Sequence, residues 1–440
     1  MTFLYIEHKQ SREISKAVWL PAIWLLYSGS KGLGIYFNIN ATMEAGSPPD
    51  RYFLLTLGII GIFILQKKSH PWLSTLKKNR PLISIIVYML ISVTWSRVPG
   101  ISLRRWSKEA IAIIIALLII SEKNYIESFS SAFRKTIYIA LPFSLMLIKY
   151  FPEYGIQYGI SSGELMWVGI AGQKNGLALI CCFAIIFLLW FLWRDIPKWK
   201  ISSTKVRTFI DISMIFLAVY LMMGPRRTFT YSSTSFLVLL IGVLSIFIFK
   251  TMVIKKSKIN SNLISLILLI IIIIGIFMPF TGKIPIRQVP EIVGRDETLT
   301  GRIRIWNALT PYAYKKFVLG YGFGGFWTTS LAKQISISAH NGYLDTILNL
   351  GLVGLLFFSF FLISSAKRSS ELVVSVWDES ILVLSMIFML SVHNISEATL
   401  SYVEAFPTSL IVLSSFLINE KYFLRQNNSR ILERGSYGLQ

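Results

Sequence analysis

His340 heads the stretch "SAHNGYLDTILNLGLVG" (338–354), with Asn341 beside it and Asp345 one helical turn further in. It is one of four histidines in the chain. An imidazole titrates near neutrality, so it can take a proton from a hydroxyl as that oxygen attacks an electrophilic carbon. On spacing alone a plainer reading competes: Asn341 caps a helix beginning at Gly342, and His340 is an interfacial residue. His393 has a similar setting, between "SMIFMLSV" and "NISEATLS", with Glu397 and Glu404 nearby. Carboxylates in or at the ends of membrane helices are costly and face partners or a cavity. Asp345, Glu397 and Glu404 are therefore read first as structural partners for arginines, and only second as proton carriers.

The arginines suggest the second half of a chemistry. A guanidinium stays charged and offers a planar fork that matches two phosphate oxygens, which a lysine cannot do. The connection 281–341 carries eight Lys and Arg against three acids. Arg302 and Arg304 belong to it. "MMGPRRT" adds Arg226 and Arg227, and "WSRVPGISLRRWSK" adds Arg97, Arg104 and Arg105. Several such forks on one membrane face could grip a lipid-linked pyrophosphate and steady it as it leaves. Contacts to ordinary lipid headgroups are the plainer alternative.

What must position these residues is a membrane domain. The chain has 440 residues, is 54% hydrophobic and has a mean hydropathy of +0.60. A soluble core could not hide that much apolar surface, whereas about 20 apolar residues span a bilayer as a helix. Apolar segments fall near 17–37, 52–66, 81–96, 109–121, 136–150, 166–193, 208–223, 229–249, 262–280, 342–363, 379–395 and 400–418. The expected fold is all-α and polytopic, with about twelve spans. It divides into 1–280 (about nine spans), a large loop at 281–341 holding short helices, and 342–440 (about three spans and a tail).

Twelve spans put both termini on one side, together with the basic loops 66–80, 194–207 and 250–260. By the positive-inside rule that side is the cytoplasm. The 281–341 loop then faces out, and its cations run against the rule. Its Ile303, Trp306, Leu309 and Ala313 recur at helical spacing, predicting a short amphipathic helix at the interface, with Thr300 as its cap. The net charge of +22 belongs to this topology, and nucleic acid is not expected as a partner. No cleavable leader is evident, so the first apolar run reads as an anchor. Adjacent Cys181 and Cys182 cannot alone form a metal site. Gly322, Gly324 and Gly325 in "GYGFGG" lack the strand and helix of a dinucleotide fingerprint and read as a turn. The short cytoplasmic loops leave no room for a nucleotide-binding domain, so bond-making energy must arrive in the substrate.

An ordered set of short patterns resembles the O-antigen ligase and polysaccharide polymerase superfamily, integral-membrane glycosyltransferases of the GT-C type. It comprises "WLPAIWLLYSGSKGLGIYF", "EAGSPPDR", "WSRVPGISLRR", "GIAGQKNGLAL", "GPRRT", "TGRIRIW", "LGYGFGGFW" and "HNGYLDTILNLGLVG". "GSPPDR" and "QKNGLAL" look more like the exopolysaccharide-polymerase branch. The resemblance implies an inner-membrane enzyme that acts on the periplasmic face without metal or cofactor. It would move a glycan from undecaprenyl pyrophosphate to the hydroxyl of an acceptor glycan or of lipid A core, among membrane lipids and other polysaccharide assembly proteins. The family's histidine at the end of the long loop falls on His340, its mid-chain arginine on Arg226 or Arg227, and its loop arginine on Arg302. Asn341, Asp345, Lys174, Asn175 and Glu397 are supporting candidates. Gln173 stands where polymerase-branch relatives commonly have histidine, so no proton transfer is assigned there. Two alternatives stay open: a ligase delivering glycan to lipid A core, and a twelve-helix flippase for the lipid-linked glycan. A flippase predicts internal repeats and charges near the bilayer midplane; no convincing repeat is found.

Overall fold

The computed structural model describes residues 14–39, 46–159, 163–195, 202–225, 229–255, 260–281, 297–336, 338–373, 379–400, 402 and 405–437. Fourteen helices carry the architecture among them: α1 (Trp19–Gly29), α2 (Pro48–Gln66), α3 (Arg80–Ser92), α4 (Pro99–Ile120), α5 (Tyr125–Tyr150), α6 (Lys174–Asp195), α7 (Ser202–Met223), α8 (Ser233–Ile254), α9 (Ser261–Thr281), α10 (Glu297–Lys315), α11 (Thr329–Gln334), α12 (Gly342–Val373), α13 (Glu379–His393) and α14 (Phe406–Tyr437). A two-stranded antiparallel ribbon, β1 (Ile156–Tyr158) and β2 (Leu165–Trp167), lies between α5 and α6.

The helical expectation holds, and each of the twelve apolar segments overlaps a helix, although 17–37 takes in two and 166–193 opens in strand β2. Seven helices among the described residues are long and apolar enough to cross a bilayer: α2, α5, most of α6, most of α7, α8, α9 and α12. This is a helical membrane protein. α6 is apolar around its whole circumference and is buried almost throughout, which makes it a core helix. α12 is the hub, packing against α3, α9, α13 and α14.

α12 is not one helix but two. At Gly351 the backbone turns to φ +68, ψ −169. A side chain there would overlap the Val318 carbonyl, since a Cβ would sit 2.2 Å from it. The segment 317–321 fills the break: Leu352 N–H donates to the Phe317 carbonyl at 2.8 Å, and Tyr321 N–H donates to Leu348 at 2.9 Å. The Tyr88 hydroxyl takes the Leu350 carbonyl at 3.0 Å. Backbone groups freed by the break thus find protein partners, as a span in lipid requires. The sequence had suggested one continuous span, because Gly351 interrupts neither hydropathy nor periodicity.

α10 confirms its predicted face and corrects its start. Trp306, Leu309 and Ala313 are buried and Ile303 is partly so, while Arg304 is exposed. The helix packs on α9 and α12. It begins at Glu297, so Thr300 is inside the first turn and is not the cap. "GYGFGG" forms a turn, as expected.

Candidate functional site

Three partners from separate elements converge on one carboxylate. Glu397 lies in the connection between α13 and α14, and its side chain is only 4% exposed. Arg302, on the first part of α10, donates from Nη2 to Glu397 Oε1 at 2.7 Å. His340 presents Nδ1 to Glu397 Oε2 at 3.3 Å. Asn175, in the first turn of α6, donates its amide to Oε1 at 2.6 Å. Asn175 is in turn held by the Ser232 hydroxyl at 3.3 Å. Burial alone would raise the Glu397 pKa, but the His340 hydrogen bond and the Arg302 charge overcome it and hold it at about 2. The carboxylate is therefore a fixed anion.

Local structure explains why these groups meet. His340 adopts φ +47, a left-handed conformation uncommon outside glycine, and the chain turns sharply there. Trp306 anchors the preceding residue by donating its indole N–H to the Ala339 carbonyl at 2.9 Å. The following residue, Asn341, caps α12: its side-chain oxygen accepts from Leu344 N–H at 2.8 Å. Its amide reaches Gly275 at 3.0 Å and Ile395 at 2.9 Å. So Asn341 is the cap the plainer reading foresaw, and that role aims its neighbour His340 at Glu397.

The loop bearing Glu397 is wound around Asn394. The Asn394 side-chain oxygen accepts from the backbone of Thr399 and Leu400, each at 2.9 Å, and its own carbonyl accepts from Gly342 N–H at 2.8 Å. A Cβ on Gly342 would fall 2.0 Å from Asn394, so glycine is needed for this docking.

The other predicted residues fall as follows. Asp345 is buried, accepting from the Trp327 indole at 2.8 Å and the Asn349 amide at 3.2 Å; it ties "GYGFGGFW" to α12. Lys174 lies 5.1 Å over the Tyr231 ring. His393 is buried one turn before Glu397, and neither ring nitrogen has a hydrogen-bond partner among the described residues. Arg105 donates to the Gly324 carbonyl, and Arg97 lies 4.6 Å over the Tyr321 ring; both brace the glycine turn. Arg226, Arg227 and Glu404 lie outside the described residues. Sequence reasoning missed Ser232, which none of the quoted motifs contains, and it placed Trp306 in "TGRIRIW" and on the buried face without its bond to Ala339. Among the described residues no group of three or more His, Cys, Asp or Glu is gathered to hold a metal ion.

The fold and the cluster together define a helical integral-membrane protein in which Arg302, Glu397 and His340 meet where α10, the start of α12 and the α13–α14 connection come together. Comparison supports the resemblance seen in the sequence: residues 228–359, a stretch that contains Arg302 and His340, match the O-antigen ligase family. No curated protein matches the chain.

Proposed function

We propose that the protein transfers a glycan from undecaprenyl pyrophosphate to an acceptor hydroxyl on the periplasmic face of the inner membrane, joining repeat units of a surface polysaccharide. In this scheme twelve spans leave both termini in the cytoplasm. The observation that carries the reading is Glu397 bridging Arg302 and His340. A carboxylate that accepts from Nδ1–H fixes the imidazole tautomer and leaves the Nε2 lone pair free. The acceptor oxygen attacks the anomeric carbon from the face opposite the pyrophosphate, and His340 Nε2 takes its proton. The bond between that carbon and the phosphate oxygen breaks, and pyrophosphate departs with the electron pair. Arg302 has donors beyond the one given to Glu397, and with Arg226 and Arg227 it stabilises the leaving group. No metal is needed in this scheme, and configuration at the anomeric carbon inverts.

The test is incubation of purified protein with lipid-linked repeat units, followed by gel electrophoresis. A ladder that disappears in His340→Ala supports the reading; no ladder from the unaltered protein overturns it. The matched family's description favours a second reading, a ligase with lipid A core as acceptor. A deletion strain separates the two. Single repeat units on core lipid signify a lost polymerase, and unattached polymer on its carrier signifies a lost ligase.

A further inference from the structure

Arg302 and Glu397 form an incomplete pair. A guanidinium and a carboxylate left to themselves meet fork to fork, with two N–H groups on two oxygens. Here a single bond joins them, from Arg302 Nη2 to Glu397 Oε1 at 2.7 Å. The other Arg302 N–H groups have no hydrogen-bond partner among the described residues. Both carboxylate oxygens are engaged from elsewhere. Oε2 faces His340 Nδ1 at 3.3 Å, and Oε1 also accepts from the Asn175 amide at 2.6 Å. Glu397 thus presents one oxygen to the arginine, and that oxygen is shared.

Asn175 is itself held firmly. It stands in the first turn of α6, the helix buried in the core. Its Oδ1 accepts from the Ser232 hydroxyl at 3.3 Å, which leaves the NH2 end to face Glu397. Ser232 closes the 3₁₀ turn Phe229–Ser232. In that turn the Tyr231 hydroxyl accepts from Trp167 N–H at 2.7 Å, and Lys174 lies 5.1 Å over the Tyr231 ring. The donor is also neutral. A lysine at this place would put a second cation on one carboxylate and weaken its hold on Arg302, whereas an amide occupies Oε1 without bringing a charge.

We infer that Asn175 is a positioning residue for Arg302: by occupying Glu397 Oε1 it holds the ion pair to one hydrogen bond and reserves the rest of the guanidinium fork for the departing pyrophosphate. The inference rests on the transfer reading, in which Arg302 steadies that leaving group, and names the residue that keeps its donors available. Without the Asn175 amide the fork closes on Glu397 with two bonds, and the phosphate loses a donor.

The test measures binding, not transfer. Full-length protein in phosphatidylcholine nanodiscs is titrated calorimetrically with a short, glycan-free polyprenyl pyrophosphate. Asn175→Ala should weaken binding about tenfold, the loss expected when a charge-assisted hydrogen bond to phosphate is given up. In an Arg302→Lys background there is no fork to capture, so the same substitution should change affinity less than about twofold. Asn175→Asp should weaken binding further than Asn175→Ala, because a second acid beside Glu397 draws on the same arginine. Ser232→Ala leaves the amide in place but unheld and should cost roughly two- to threefold, which keeps the test decisive if the Asn175 variants do not fold. Binding that requires Arg302 yet is unchanged in Asn175→Ala and Ser232→Ala would overturn the inference and leave the transfer reading standing. A tenfold loss that persists in the Arg302→Lys background would do the same, since Asn175 would then act on the structure and not through the fork. Equal binding by the unaltered protein and Arg302→Ala would overturn both.

Discussion

Among the described residues two arginines pair with buried carboxylates, and their surroundings differ. Arg134 of α5 meets Asp211 of α7 at 3.1 Å, with side chains 3% and 2% exposed, and the Tyr138 hydroxyl donates to the same carboxylate at 2.5 Å. Arg134 also lies 4.3 Å over the Phe191 ring. That pair is sealed between helices. Arg302 and Glu397 are also close, but Arg302 is 12% exposed and the third member, His340, is 23% exposed. One pair joins two helices to each other; the other holds a partly exposed imidazole ring. Burial of charge alone therefore does not mark a site; the proposed one differs from the sealed pair by the partly exposed imidazole held on its carboxylate.

The comparison is broken most severely at His340. If it is the base, His340→Ala should lower turnover about 10³-fold, within the range for positioned acid–base groups, with insertion and thermal stability unchanged. Steady-state ladder formation measures it. Arg134→Leu should do the reverse. It leaves Asp211 buried without its partner and should cost about 3 kcal/mol of stability. Arg134→Met with Asp211→Leu should recover most of that, because replacing a whole buried pair by apolar groups is close to neutral. Thermal unfolding in detergent distinguishes the single from the double variant, while the surviving folded fraction of each should keep its transfer rate.

Arg302→Lys sharpens the contrast from the other side. The charge next to Glu397 remains and the planar fork is lost, so turnover should fall roughly 10- to 100-fold, about 1.4 to 2.7 kcal/mol in the barrier. An unchanged rate would remove the guanidinium from the leaving-group role.

Much of this was legible in the chain because it is written in local patterns. The apolar runs give the helices, the 303–313 periodicity gives the buried face of α10, and Asn341 before Gly342 gives the cap. Glu397 was recognisable as a costly carboxylate near His393, but its partners were not: they lie 95 residues away at Arg302, 57 at His340 and 222 at Asn175. Their meeting depends on the Asn394 loop docking at Gly342, on Trp306 holding Ala339, and on the left-handed turn at His340. None of these has a sequence period. The break at Gly351 is hidden for the same reason, since its cause is a distant segment, 317–321, that supplies the missing hydrogen bonds.

The carboxylate itself can be probed directly. Glu397 is held at about 2 against an ordinary value of 4.5. A folded-state pKa below the unfolded one means that the unfolded chain takes up the proton first as pH falls. The stabilisation from the ionised group is thus full above about 4.5 and drains away toward 2. Glu397→Gln cannot titrate and lacks that contribution throughout. The gap in melting temperature between the unaltered protein and Glu397→Gln should be widest near neutral pH and should narrow between pH 4.5 and 2. The Arg134–Asp211 pair supplies the internal reference, because the same scan on Arg134→Leu removes the other pair and leaves the Glu397 titration in place. A gap that stays constant down to pH 2 would mean that His340 and Arg302 do not hold Glu397 ionised, and the tautomer assigned to His340 would lose its cause.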